Sequence, residues 1–258
     1  MTRTAAQVWQ RGLGGLLAFV AAAVLVSGCG SGSSTPPLAK GSSSPASSAA
    51  PGPSTTVHYA SSVVAQAKVP SVAVFDTSTG GAPSKNLANP QPSGSPLVFL
   101  VQGGEGSRLH VLLPIRPNGT TGWIERADVN LSQHDYRTVV ALAAHQITIY
   151  KGDAVFDQEP IGVGTKDTPT PGGTYYTKEL YKLPTATGPY GPFAYALSGY
   201  SDVLTDFAGG DGVLGIHGTN DPSAIGHDVS HGCIRMSNPG ITKLAQTLPL
   251  GVPVEIQA

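Results

Sequence analysis

Short apolar runs, broken by Gly, Pro and Asn, recur along the chain after residue 57. Runs that are rich in β-branched and aromatic residues and bounded by turn residues are typical of β-strands. In residues 57–134 this pattern predicts four strands, at 72–75, 97–101, 109–113 and 122–124. Their spacing predicts a small antiparallel barrel or meander.

Residues 135–258 continue the pattern of short strands and add one helix. Further runs predict strands at 138–142, 146–150, 154–156, 161–164 and 252–256. Within 239–248 the apolar residues recur every three or four positions, which predicts a short helix with Ser237 or Asn238 as its N-cap. The fold class is therefore predicted to be mainly β.

The segment 180–210 shows little periodicity and contains several Gly, Pro and Tyr residues. Long connections of this composition often form lids or disordered segments. We therefore interpret this segment as a long insert, whose aromatic side chains either pack within the insert or face a ligand.

The amino-terminal residues 1–28 have the form of a secretory signal, with two arginines ahead of an apolar run that ends in small residues. That run is shorter than the roughly 20 residues of a transmembrane helix, although an uncleaved anchor is an alternative. Residues 26–29, Val-Ser-Gly-Cys, resemble a bacterial lipobox, which implies that Cys29 is lipidated and holds the chain at the membrane. Residues 29–56, rich in Ser, Pro and Gly, predict a disordered linker.

Charge and cysteine content narrow the range of possible functions. The formal net charge is −1 and no basic cluster is present, so nucleic acid is not an expected partner. The two cysteines are Cys29 and Cys233. If Cys29 carries lipid, Cys233 is an unpaired thiol outside the cytoplasm. Such a thiol is chemically exposed there, so its presence indicates a function. A disulfide between the two cysteines and an inert buried thiol are the alternatives.

The most informative stretch is 216–236, IHGTNDPSAIGHDVSHGCIRM, which combines His217 and His231 with Cys233. A thiol is a useful nucleophile only as the thiolate, so it needs a neighbouring base or positive charge. We interpret the stretch as an active-site loop with Cys233 as nucleophile and His217 as base. A metal site is the rival interpretation, because the stretch also contains Asp and further His side chains, although their spacing fits no zinc pattern.

The pattern H-G-T followed by S-H-G-C-I-R-M resembles the signature of the L,D-transpeptidase catalytic domain, also called the YkuD domain. Residues 166–176, KDTPTPGGTYY, resemble the stretch of that family that runs along the substrate groove, and residues 113–124 resemble a bacterial SH3-like module. The resemblance implies a YkuD-type β-sandwich with one or two short helices in residues 135–258. It also implies a small SH3-like β-barrel in residues 57–134.

The resemblance further implies roles for individual residues. The carbonyl of Gly218 would hold the second ring nitrogen of His217, and His231 would lie beside the thiolate and tune its charge. Neither a cofactor nor a metal is required. The remaining candidates for oxyanion or substrate contacts are Gly232, Ser230, Arg235 and, from the predicted insert, Tyr200.

The implied activity is peptidoglycan L,D-transpeptidation, which forms 3→3 crosslinks through a cysteine thioester. A tetrapeptide stem would be the donor and a second stem the acceptor, and β-lactams of the carbapenem type would acylate the same thiol. The protein would work lipid-anchored at the outer face of the cell membrane, facing the cell wall. An L,D-carboxypeptidase, with water as acceptor, and a non-catalytic wall-binding lipoprotein are the alternatives.

Overall fold

Seventeen strands and one α-helix lie in residues 61–206 and 210–258, the residues that this computed structural model describes. The predicted signal 1–28, the linker 29–56 and Cys29 lie outside these residues. Within them, no helix is both long and apolar enough to cross a membrane. The elements are β1 (Ser62–Ala67), β2 (Ser71–Phe75), β3 (Lys85–Ala88), β4 (Val98–Glu105), β5 (Arg108–Leu112), β6 (Thr121–Glu125), β7 (Val129–His134), β8 (Tyr136–Ala141), β9 (Gln146–Lys151), β10 (Ala154–Pro160), β11 (Val163–Gly164), β12 (Gly173–Lys182), β13 (Phe193–Tyr200), β14 (Val213–His217), β15 (Asp228–Ser230), β16 (Ile234–Arg235), β17 (Pro253–Gln257), α1 (Asn238–Thr247) and single 3-10 turns at Arg126–Asp128 and Pro222–Ala224.

The first sheet is antiparallel and has the strand order β3-β2-β6-β5-β4-β1-β7. The four strands predicted from apolar runs are confirmed as β2, β4, β5 and β6. Side chains along a strand alternate between its faces, and β2 accordingly buries Val72 and Val74. These two residues pack with Phe99 and Ile124 in a core that belongs to this sheet. The edge strands β3 and β7 are more polar, so no apolar run indicated them.

The second sheet has eight strands in the order β10-β9-β8-β17-β12-β13-β14-β16, with the short parallel pair β11–β15 separate from it. Two of its pairings are parallel, β8 with β17 and β14 with β16. The predicted helix is confirmed as α1, and Ser237 caps it by accepting a hydrogen bond from the amide of Gly240 (3.0 Å). Buried Ile241 and Leu244 join α1 to the core of this sheet. The prediction of a mainly β fold is confirmed.

The interpretation of residues 180–210 as a long insert is wrong. β12 extends into this segment, and β13 follows at the centre of the sheet between β12 and β14. Nearly every residue of β13 is buried. A strand that is covered on both faces shows no alternation of apolar and polar residues, so its sequence carried no recognisable period. Tyr195 of this strand donates its hydroxyl to the carbonyls of Leu244 and Leu248, and therefore packs against α1.

A buried tyrosine joins the two sheets. Tyr176 of β12 is fully buried, and its hydroxyl donates to the carbonyl of Val98 in β4 (3.0 Å). Its ring packs in one apolar cluster with Val64, Leu100 and Leu112 of the first sheet. The two sheets therefore share a small apolar interface that includes this buried hydrogen bond.

Replacing Tyr176 by Phe tests this interface, because it leaves the Val98 carbonyl without its donor in apolar surroundings. We expect the free energy of unfolding to fall by about 1–3 kcal/mol, measured by urea denaturation. Tyr150→Phe, on the half-buried side of β9, is the control and should change stability by less than about 0.5 kcal/mol. Equal effects of the two substitutions would contradict the role of the Tyr176 hydroxyl.

Candidate active site

The parallel pairing of β14 with β16 brings the two ends of the motif together. The register pairs His217 with Arg235, so Cys233, two residues before Arg235, lies beside Gly215. Residues two apart on a strand face the same side, which places the side chains of His217, Arg235 and Cys233 on one face of the sheet. Adjacent strands lie about 4.8 Å apart, a distance that these side chains can span.

His217 lies at the end of β14 and is only 3% exposed. Its Nδ1 donates to the carbonyl of Gly218 at 2.6 Å, so Nε2 carries the lone pair that can accept a proton. Burial lowers the pKa of His217 to about 4; the hydrogen bond to Gly218 opposes this shift, and the positive charge of Arg235 adds to it. The imidazole is therefore neutral at pH 7.

The loop after His217 is held by the amino-terminal end of α1. A Cβ atom at Gly218 would overlap Oδ1 of Asn238, so the close approach requires glycine. The same Oδ1 accepts a hydrogen bond from the amide of Thr219 (2.9 Å). Because α1 is anchored in the core, it fixes the position of the carbonyl that orients His217.

Cys233 has a free, partly exposed thiol whose Sγ lies against Gly215. A Cβ atom at Gly215 would be 3.8 Å from the sulfur. Burial raises the pKa of the Cys233 thiol, whereas a backbone hydrogen bond from Gly215 and the charge of Arg235 act in the opposite direction. The resting thiol is therefore protonated at neutral pH, and it becomes a strong nucleophile only when a base removes its proton.

Ser230 organises the turn that carries Cys233. Its side chain is buried, and its hydroxyl donates to the carbonyl of Cys233 (2.5 Å) and accepts from the amide of Gly232 (3.1 Å). Both partners belong to the backbone of the turn, so Ser230 supports the loop rather than contacting a substrate. The amide of Gly232 is therefore paired with Ser230 in this structure, and its contribution as an oxyanion donor stays a prediction.

Two threonines of the segment 166–176 support the same turn. The hydroxyl of Thr168 donates to the carbonyl of Ser230 (3.1 Å), and the hydroxyl of Thr170 donates to that of Gly232 (2.9 Å). The resemblance placed this segment along a substrate groove. Its threonine hydroxyls also have a structural role, because they fix the carbonyl groups on either side of His231.

Arg235 supplies the positive charge of the site. The strand register sets Arg235 opposite His217. Its positive charge adds to the lowering of the His217 pKa by burial, and it offsets part of the rise that burial causes in the pKa of Cys233 and of Tyr190. Its Nε is buried and has no hydrogen-bond partner within the described ranges. Because a buried donor without a partner costs about 1–3 kcal/mol, this nitrogen favours an anionic or carbonyl ligand.

Tyr190 is a residue of the site that the sequence did not indicate. Its ring centroid lies 4.8 Å from that of His217, with the two planes at 72°. Burial raises the pKa of the Tyr190 hydroxyl, and a negative charge on Cys233 would raise it further. Tyr190 sits in the Gly- and Pro-rich connection between β12 and β13, where no periodicity distinguishes it from a surface tyrosine.

Tyr200, a predicted substrate contact, is occupied by other interactions. Its side chain is buried, its hydroxyl donates to the carbonyl of Pro114 (2.7 Å), and Arg116 lies over its ring at 4.8 Å. Both partners lie in the connection between β5 and β6, so Tyr200 serves the contact between the sheets. The aromatic residue beside His217 is Tyr190.

The remaining histidines of the motif differ from His217. His231 has an exposed side chain, and its effect on the thiolate stays a prediction.

Asp228, a member of the rival metal set, pairs instead with His145 (2.7 Å). Among the residues with described positions, no group of three His, Cys, Asp or Glu side chains could hold a metal ion.

Comparisons with known proteins address the second sheet. Residues 135–256 match the family model of YkuD, the L,D-transpeptidase catalytic domain. The YkuD proteins of Bacillus licheniformis and Bacillus subtilis are each 36% identical over 121 residues, 47% of this chain and 65% of theirs. The chain therefore covers less than two thirds of the length of these relatives. The solved L,D-transpeptidase LdtMt1 in complex with imipenem is 15% identical over 58% of this chain and 90% of its own, with a TM-score of 0.40.

The pKa shifts predict how Cys233 reacts with iodoacetamide. Because burial raises the pKa of the thiol, the alkylation rate should keep rising as the pH is raised past about 8.5, the ordinary pKa of cysteine. Arg235→Gln removes a charge that lowers this pKa, so less thiolate is present at pH 8. The remaining thiolate is more nucleophilic, which offsets part of the loss, and we expect alkylation about threefold slower.

Peptide mapping by mass spectrometry would follow the Cys233 peptide separately from that of Cys29. Arg126→Gln removes the same charge from an exposed position on the first sheet and is the control. An Arg235→Gln variant that reacts at pH 8 as fast as the parent would contradict the placement of the guanidinium beside the sulfur.

Proposed function

We propose that this chain, whose residues 135–256 match the family model of YkuD, the L,D-transpeptidase catalytic domain, transfers acyl groups between peptidoglycan stem peptides. The observation that carries the proposal is the pair of His217 and Cys233 on one face of the sheet, with Nδ1 of the imidazole held by Gly218. A cysteine acyltransferase needs a nucleophile, a base and a group that orients the base. These three residues can fill the three roles.

In the first half-reaction, the sulfur of Cys233 attacks the carbonyl carbon of the L-centre at the third residue of a donor tetrapeptide. Nε2 of His217 accepts the thiol proton. The C–N bond to the terminal D-amino acid then breaks, Nε2 gives the proton to the departing amine, and the tripeptide remains as a thioester.

In the second half-reaction, the side-chain amine of an acceptor stem attacks the thioester and gives a proton to His217. The C–S bond breaks, the new amide is the 3→3 crosslink, and the proton returns to the sulfur of Cys233. Atoms and charges balance without a cofactor.

The neutral resting states of Cys233 and His217 determine when the proton is transferred between them. Burial disfavours both the thiolate of Cys233 and the imidazolium of His217, so transfer accompanies attack on the substrate carbonyl rather than preceding it. With the amide of Gly232 occupied by Ser230, the amide of Cys233 is the proposed oxyanion donor, together with that of His231. One such donor typically contributes about 3 kcal/mol to the transition state.

Arg235 is the proposed anchor for the carboxylate of the donor peptide. A tetrapeptide stem ends in a carboxylate one residue beyond the bond that breaks, and the buried Nε of Arg235 lacks a partner in the described part of the chain. Arginine binds carboxylates through paired donors, which fixes orientation as well as charge. This contact would discriminate against stems that already lack the terminal residue.

Two further proposals follow from the sequence. A carbapenem presents a strained carbonyl in place of the stem peptide bond, so it would acylate the sulfur of Cys233. Lipid on Cys29 would hold the enzyme at the outer face of the membrane with its active site toward the wall.

Product analysis tests the reaction. The full chain, incubated with a disaccharide-tetrapeptide, should give crosslinked dimer by mass spectrometry. Cys233→Ala should abolish turnover, and His217→Gln should lower kcat by about 10²–10⁴-fold because the general base is lost. Tripeptide without dimer would indicate the carboxypeptidase instead. Parent and Cys233→Ala proteins that are equally inactive would contradict an enzyme and favour a wall-binding module.

Acylation by imipenem gives an independent test of the nucleophile. The intact mass of the parent should increase by one imipenem equivalent, on the peptide that contains Cys233. Cys233→Ala should remain unmodified under the same conditions. An adduct on Cys29 alone, or none on a parent whose Cys233 still reacts with iodoacetamide, would contradict the proposal.

A further inference from the structure

Arg116 reaches from the β5–β6 connection to two separate parts of the chain between β13 and β14. Its Nη1 donates to the carbonyl of Ser201 (2.8 Å). Its Nη2 donates to the carbonyls of Asp211 (2.7 Å) and Leu204 (3.2 Å). Since Ser201 and Leu204 follow β13 and Asp211 precedes β14, one guanidinium ties the end of one strand to the start of the next.

Asn118 pairs with the backbone of Tyr200 as a neighbouring strand would. Its Nδ2 donates to the carbonyl of Tyr200 (2.8 Å), and its Oδ1 accepts from the amide (2.9 Å). The Tyr200 hydroxyl donates to the carbonyl of Pro114. We call Pro114, Arg116 and Asn118 the Arg116 clamp. Most of its contacts are directed hydrogen bonds from the side chains of Arg116 and Asn118 to backbone atoms, and such bonds fix positions more closely than apolar packing does.

Gly212 shows how closely the clamped segments approach each other. Its φ of 72° is favourable only for glycine, and a Cβ atom there would overlap the carbonyl oxygen of Leu204. The Gly212 carbonyl accepts a hydrogen bond from the amide of Ser201 (2.8 Å). Gly212, directly before β14, is therefore held in place by Ser201 and Leu204, whose carbonyls Arg116 binds.

The start of β14 is not fixed by strand pairing alone. β14 has five residues, and its pairing with β13 shifts register between Ala196 and Tyr200. A short strand with an irregular ladder can slip, and a slip of one residue would turn every side chain to the other face. Such a slip would move His217 away from the face that carries Cys233.

We propose that the Arg116 clamp sets the position of β14 and thereby positions His217 relative to Cys233. Through the clamp, the β5–β6 connection of the first sheet contributes to the geometry of the active site. Three carbonyls on one guanidinium require the fork geometry of arginine, which lysine lacks. The catalytic consequence rests on the proposed function. The structural consequence, protection of β14, does not depend on turnover.

The test compares Arg116→Gln and Asn118→Ala with the exposed control Arg126→Gln in the full chain. Hydrogen exchange measured by mass spectrometry should increase at least about tenfold in peptides covering 210–217, because the bonds that close this segment are lost. With the tetrapeptide donor, kcat should fall about 10–100-fold, as expected for misplacement of catalytic groups. KM should change less than about threefold because no substrate contact is removed. Arg116→Lys should be intermediate, and Arg126→Gln should match the parent.

The outcomes separate this proposal from the proposed function. Faster exchange confined to 210–217 with reduced kcat supports the clamp. A folded Arg116→Gln variant with parental exchange and kcat overturns it, as does faster exchange spread evenly over both sheets in Arg116→Gln and Asn118→Ala alike. If the parent itself has no turnover, the proposed function fails, and exchange in 210–217 still decides for or against the clamp.

Discussion

The parallel pairing of β14 with β16 is the constraint on which the candidate site depends. A parallel pair cannot be closed by a tight turn and needs a longer crossover, which residues 218–233 provide. The pairing places residues that are far apart in the motif on one face of a sheet at strand spacing. Gly215 leaves room for the sulfur of Cys233, and His217 lies opposite Arg235. Ser230 and the neighbouring threonines then hold the turn that delivers the thiol.

The electrostatics follow from this placement. Burial favours the neutral forms of both Cys233 and His217, and Arg235 limits the cost of a thiolate while it further disfavours an imidazolium. A resting thiol is less open to adventitious oxidation than a resting thiolate. In the proposed reaction, attack and proton transfer occur together once a substrate carbonyl is close to the sulfur. The position of β14 would then matter as much as the identity of the residues.

Much of the fold and the central pair could be predicted from the sequence, because alternating strands, an amphipathic helix and a dense His-Cys motif are local patterns. What escaped prediction depends on tertiary contacts. β13 shows no alternation of apolar and polar residues because both of its faces are covered. Tyr190 lies in the loop before β13, where no sequence pattern distinguished it. The hydroxyl of Ser230 could not be told from a substrate contact until its backbone partners were known. The bonds from Arg116 join residues more than 80 positions apart, and no local pattern reports them.

The central claim is that the acyl group passes through the sulfur of Cys233, and trapping the intermediate tests it most directly. The full chain would be mixed with a tetrapeptide donor whose acceptor amine is blocked, quenched in acid within the first turnover, and mapped by mass spectrometry. The account predicts a tripeptide-sized, hydroxylamine-sensitive adduct on the Cys233 peptide. Release of the terminal D-amino acid with no acyl group on Cys233, or with the acyl group on another residue, would contradict it.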